Sequence, residues 1–154
     1  MGLNEQLAGQ IVGLDTAPLL YYVGEVAPYL ALLDPFFDAV DNGLIGVVTS
    51  TLTITEVLVY PFRTGDNRLL IEYKDILLHS PNIRTLDITP DIAERAAELR
   101  ASHRFKTPDA IQIATAISAG AATFLTNDLR LRSVTGISVL ALDDLLLKTP
   151  PGAP

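Results

Sequence analysis

The chain has 154 residues, 49% of them hydrophobic and 19% charged, so it can bury one core and is not a disordered or collagen-like chain. With 11 Lys and Arg against 18 Asp and Glu, its net charge of −7 excludes a basic module that coats nucleic acid. The absence of Cys excludes disulfides, thiolate zinc sites and cysteine nucleophiles, and the absence of Trp argues against an aromatic platform for single strands.

The opening MGLNEQLAG has no cationic segment, so no secretory signal is expected. Ile11 to Leu14 is a short apolar run ending at Asp15, a pattern that predicts a buried strand. Pro18 then sits in the first turn of a helix running toward Leu33 and broken near Pro28. The apolar stretch Ala17 to Val40 is interrupted by Glu25, Asp34 and Asp38, which predicts buried soluble helix and no membrane span. With no membrane segment and no disulfide, a cytoplasmic protein is expected.

Gly46 to Thr49 predicts a second strand, followed by a helix from Thr53 to about Tyr60 that Pro61 stops. A helix is expected over Asn67 to His79, a strand over Ile83 to Ile88 and a helix over Asp91 to Ala101. Pro108 opens a helix with the apolar stripe Ala110, Ile113, Ala114 and Ile117, closed by Gly120. Ala121 to Thr126 and Ile137 to Ala141 read as the last strands, and Asp143 to Lys148 as a final helical turn or two. Residues 1–148 are expected to form one domain, and 149–154, with Pro150, Pro151 and Pro154, a disordered tail.

This alternation predicts an α/β fold, a three-layer α/β/α sandwich around a mostly parallel sheet. Right-handed crossovers place all strand C-termini on one edge, where open parallel sheets bind ligands. Four acids fall at that edge. Asp15 follows the first strand, Glu56 is expected in the first turn after the second, Asp109 in the first turn after Pro108, and Asp128 just past the strand Ala121 to Thr126. Four ionised carboxylates in one crevice repel one another, and a hard divalent ion relieves this.

Each acid also has a purely structural reading. Asp15 suits an N-cap, and Thr53-Ile54-Thr55-Glu56 has the form of a capping box. In Thr107-Pro108-Asp109, Thr suits the cap, Pro the first helical position and Asp the helix dipole. Asn127-Asp128 suits a turn. The shared edge favours a metal site, while spacing alone leaves the chemistry open.

The strings GLDTAPLLYY, TSTLTITEVL, FKTPDAIQIATA and FLTNDLRL, in this order, resemble a PIN domain, and more narrowly the VapC-type ribonuclease toxins of toxin–antitoxin pairs. The resemblance runs from about Ile11 to Leu145, and TEVL is its weakest part. It implies hydrolysis of RNA phosphodiesters with Mg²⁺ or Mn²⁺, one or two ions per site, and places the acidic set on Asp15, Glu56, Asp109 and Asp128. Asp15 and Asp109 would be the principal ligands, with Asp128 beside them or acting through water. Glu56 would bind a second ion or orient the attacking water. Thr16, Thr49 and Thr126 are candidates for hydrogen bonds to these carboxylates. The resemblance also implies a homodimer and a cognate antitoxin.

Arg104 and Lys106 precede the Asp109 motif, and Arg130 and Arg132 follow Asp128. They are candidate contacts for RNA phosphates, or a solvated basic face paired with nearby acids. His79 and His103 lie outside the acidic set. Tyr21, Tyr22, Tyr29, Phe36 and Phe37 are expected mostly in the core, with some available to a partner. Three alternatives compete with a toxin: a PIN nuclease of RNA processing or decay, a non-catalytic PIN scaffold binding RNA or a partner, and a phosphoacceptor receiver domain. The last needs a Lys near the end of a late strand, and Ile137 to Ala141 supplies none.

Overall fold

Val12 and Gly13 are neighbours in the chain that serve opposite faces of a sheet, because successive strand side chains point to opposite sides. In the computed structural model, which describes residues 2–148, Val12 packs in one apolar cluster while Gly13 lies against Ala116 and Phe124 of the other. The tail expected over 149–154 lies outside the described residues.

The elements follow in chain order as α1 (Leu3–Leu7), β1 (Ile11–Leu14), α2 (Thr16–Val23), α3 (Leu30–Asp41), β2 (Gly46–Ser50), α4 (Thr51–Val57), α5 (Val59–Thr64) and α6 (Asn67–Lys74). A π-helical turn over Asp75–His79 leads to β3 (Ile83–Leu86), α7 (Pro90–His103), α8 (Thr107–Ser118) and β4 (Thr123–Thr126). A 3₁₀ turn (Leu129–Ser133), β5 (Ser138–Ala141) and α9 (Leu142–Leu147) complete it. The five strands form one sheet in the order β3-β2-β1-β4-β5, and every pairing is parallel.

Both faces of the sheet are covered, as the apolar strands require. One cluster joins Val12, Leu14, Val47 and Leu125 to Leu19, Leu33, Phe36 and Phe37 of α2 and α3. The other joins Val48 and Phe124 to Ile92, Ala96 and Leu99 of α7 and Ala110, Ile113 and Ala114 of α8. The three-layer α/β/α expectation holds. Gly13 lets α8 lie close to β1, since a Cβ there would stand 2.4 Å from Ala116 Cβ and 2.9 Å from Phe124 Cδ1. Among the described residues no helix is long and apolar enough to cross a membrane.

Several boundaries differ from the sequence reading. The segment after Pro28 forms a longer helix, α3, reaching Asp41 with Pro35 inside it. The helix expected from Thr53 starts at Thr51, because Ser50 caps it by accepting from the Leu52 amide at 3.1 Å. Thr53 is therefore a buried interior residue, and Glu56 falls in the last turn of α4, not the first. Pro61 does not stop a helix but lies within α5. Helix α8 begins at Thr107, with Lys106 in the cap position in place of Thr107. The short α1 was not anticipated. Phe36 and Phe37 are buried, whereas Tyr21 stacks on Tyr29 at 4.3 Å between centroids and Tyr22 on Phe37 at 4.1 Å.

Candidate functional site

The chain lays β2 and β3 on one side of β1, then crosses to place β4 and β5 on the other. The order therefore reverses between β1 and β4, and a crevice forms beyond strand C-termini at such a switch. Asp15 leaves β1 there and Asp128 follows β4 by two residues. Both line a cleft of about 490 Å³ with Thr16, Tyr21, Glu56, Asn127 and Arg130. Asp109, at the start of α8, lines an adjoining concavity of about 230 Å³ with Arg104, Lys106 and Arg130.

Asp15 is the deepest of these acids. Its Oδ1 accepts from the Thr16 amide at 2.8 Å and its Oδ2 from the Thr126 hydroxyl at 2.7 Å. Burial nevertheless raises its pKa to about 6, and the like charges of Asp109 and Glu56 push the same way. Asp109 is raised as well, by desolvation first and by the Asp128 charge second. Asp128 behaves oppositely. Its carboxylate accepts from the Arg130 backbone amide at 3.0 Å, from Arg130 Nε at 2.9 Å and from Nη2, and these bonds hold it below the usual range.

Glu56 reaches the cleft from α4 and accepts from the Thr16 hydroxyl at 2.8 Å. Behind it lies a buried polar web. Gln112 Nε2 donates to Thr53 at 2.7 Å and to Thr16 at 3.2 Å, Thr53 contacts Thr49 at 2.8 Å, and Thr49 donates to the Leu14 carbonyl at 2.9 Å. Thus Thr16 and Thr126 meet carboxylates, and Thr49 bonds to backbone and to Thr53 instead. Gln112 and Thr53 were missed in the sequence. The available signal was a Gln set among Ala110, Ile111, Ile113 and Ala114, three positions after Asp109.

Of the four basic candidates, Arg104, Lys106 and Arg130 adjoin Asp109. Arg132 does not, because its guanidinium pairs with Asp144 at 2.8 Å. His79 pairs with Asp75 in the π-helical turn, and His103 stacks on Phe105. Asn127 braces the far wall, donating to Tyr21 and Tyr29 while its Oδ1 accepts from the Asp143 amide.

A PIN domain family model matches residues 13–137, which is most of the chain and includes all four acids. The chain belongs to the PIN domain family. No curated protein matches it. Its fold is similar to a chain in the crystal structure of VapBC2 from Rickettsia felis bound to a promoter DNA fragment, at TM-score 0.64 and 17% identity, covering 85% of this chain and 98% of that one. It is similar to a chain of a toxin–antitoxin complex from Klebsiella pneumoniae at TM-score 0.62 and 20% identity, over 87% and 98%. DNA-bound VapBC from Salmonella typhimurium gives TM-score 0.65 and 16% identity, over 86% and 98%.

The acids of this PIN domain's crevice, Asp15, Glu56 and Asp128, offer carboxylate oxygens, the donors that suit a hard cation such as Mg²⁺ or Mn²⁺. Among the described residues, no three His, Cys, Asp or Glu side chains are gathered into a metal cage. The donor set fits an ion that keeps several waters and takes one or two carboxylates directly. A positive group already sits in the cleft, where the Arg130 guanidinium binds Asp128.

Proposed function

We propose that this PIN domain is a metal-dependent endoribonuclease, the VapC-type toxin of a toxin–antitoxin pair. The observation that carries the reading is that Asp15, Glu56 and Asp128 line one cleft at the switch point, with Asp109 in the adjoining concavity, near enough that its charge and that of Glu56 both raise the Asp15 pKa. Fold similarity to VapBC and other toxin–antitoxin complexes supports the toxin assignment.

Asp15 and Asp109 would hold the divalent ion, with Asp128 beside them or through water. When bound, that ion supplies a lowered pKa for its water and positive charge for the phosphoryl oxygens. Glu56, held at Oε1 by Thr16, would bind a second ion or, with Oε2, orient the attacking water and take its proton. Lys106 and Arg104, on the Asp109 side, and Arg130, once drawn off Asp128, hold the RNA phosphates. Val59, Tyr60 and Phe62 are exposed on α5, just beyond the helix carrying Glu56, and support an apolar contact with a cognate antitoxin. The expected assembly is a homodimer in the cytoplasm, and light scattering of the purified chain tests the dimer.

The deciding experiment is cleavage of a mixed RNA pool with Mg²⁺, with Mn²⁺ and with EDTA, alongside folded Asp15→Asn and Asp109→Asn variants. Cleavage that requires metal and is lost in both variants is the expected result. Cleavage surviving EDTA or both substitutions overturns the mechanism. No cleavage together with no Mn²⁺ binding by calorimetry favours a scaffold that binds RNA or a partner.

A further inference from the structure

We infer that Gln112 is a positioning residue for Glu56, its buried amide fixing the Thr16 hydroxyl that donates to the Glu56 carboxylate. Its consequence for activity rests on the nuclease reading above. The hydrogen bonds that join Gln112 to Glu56 through Thr16 do not depend on it.

A proton count fixes the direction of the web. The Thr49 hydroxyl has one proton and gives it to the Leu14 carbonyl at 2.9 Å. The 2.8 Å contact between Thr49 and Thr53 therefore takes its proton from Thr53. Thr16 gives its own proton to Glu56 Oε1 at 2.8 Å. Both Thr16 and Thr53 thus face Gln112 as acceptors, and the amide meets them with Nε2 at 3.2 and 2.7 Å. Turned over, it would set Oε1 against two oxygens with no proton left to share. The amide has one orientation, and donation runs from α8 through Thr16 on α2 to Glu56 on α4.

That orientation has a cost for the fold. Gln112 is 3% exposed, and its Oε1 is buried with no hydrogen-bond partner. An orphaned buried carbonyl opposes stability, and Met would fill similar space without one. Gln112 also lies three residues after Asp109, on the same face of α8. Its amide therefore ties the helix that carries Asp109 to the residue next to Asp15 and to the aim of Glu56. Without it, the Thr16 hydroxyl loses its donor and gains freedom to turn away from Glu56.

The test uses the full chain and three readouts: RNA cleavage, Mn²⁺ binding by calorimetry, and the Gln112 side-chain amide pair in ¹⁵N spectra. Gln112→Met is expected to unfold within about 5 °C of wild type. It should weaken Mn²⁺ binding about tenfold, as for other residues that orient ligands, and lower kcat more than it raises KM. Thr16→Val should match it and Thr16→Ser should restore wild-type behaviour, a pair that decides the matter even if Gln112→Met fails to fold. Combined with Glu56→Gln, Gln112→Met should add no further loss. Wild-type Mn²⁺ affinity and cleavage in Gln112→Met, or losses that add in full to those of Glu56→Gln, overturn the proposal. If the wild type neither binds Mn²⁺ nor cleaves RNA, the nuclease reading fails. The amide pair then decides: protection from solvent exchange and a shift in Thr16→Val uphold the positioning role, and free exchange overturns it.

Discussion

The hydroxyl of Thr126 donates to Oδ2 of Asp15 at 2.7 Å and accepts from the Asp128 amide at 3.1 Å, so one side chain at the end of β4 orients two acids. The bond favours the ionised form of Asp15 and works against the burial that raises its pKa. Thr126→Val is expected to push Asp15 still higher and to move the pH midpoint of Mn²⁺ binding upward by roughly half to one unit. It should also cost about 1–2 kcal/mol of stability. Calorimetry between pH 5 and 8 and urea unfolding check the two effects.

The metal-free protein should be more stable in mild acid than at neutral pH, as far as Asp15 decides it. Its folded pKa, about 6, lies above the ordinary value of 3.8, so the native state holds the proton more tightly. That stabilisation is full below about pH 4 and is lost as pH rises through 6. Asp109 acts in the same direction, and Asp128, whose pKa is lowered, in the opposite one. Asp15→Asn should remove the Asp15 share of the slope and stabilise the metal-free protein at pH 7 by on the order of 1–2 kcal/mol, allowing for solvent in the open cleft. Urea unfolding of both proteins across this range measures it, and a wild type that loses no stability relative to Asp15→Asn from pH 4 to 7 would contradict it.

Arg130 occupies the position of a counter-ion to Asp128. Arg130→Gln is expected to tighten Mn²⁺ binding several-fold, because a competing cation is gone, and to weaken RNA binding. The slope of RNA affinity against salt should fall by about one. Fluorescence anisotropy with a labelled RNA at several salt concentrations, beside Mn²⁺ calorimetry, separates the two signs.

Gly13→Ala tests the seat of α8. The new Cβ meets Ala116 Cβ at 2.4 Å and Phe124 Cδ1 at 2.9 Å, so the helix carrying Asp109 and Gln112 has to lift from the sheet. The expected cost is about 1–3 kcal/mol, with weaker Mn²⁺ binding in the fraction that remains folded. Thermal unfolding and calorimetry measure it, and an unchanged midpoint would refute the close packing.

The strands and the acids at their ends were legible because the signals are local. A short apolar run ending in Asp15 or Asn127-Asp128 says where a parallel strand stops, whatever it pairs with. The start of α4 was not legible in the same way. Thr53-Ile54-Thr55-Glu56 satisfies a capping pattern on paper, but Ser50 takes the cap and Thr53 turns inward to Thr49 and Gln112. Arg132 likewise resembles Arg130 in sequence, and only the position of Asp144 draws it away from the cleft.

The sequence by itself determined the α/β layering and the strand-end placement of Asp15 and Asp128, since periodicity and chain order carry that information, while the family was visible only through the resemblance of its motif strings to PIN domains. The tertiary structure decided which charges feel one another, which arginines face the acids, and that Gln112 reaches Glu56 through Thr16. Those relations join residues such as Thr16 and Gln112 that are 96 positions apart, and no local pattern encodes a contact made by folding α8 against α2 and α4.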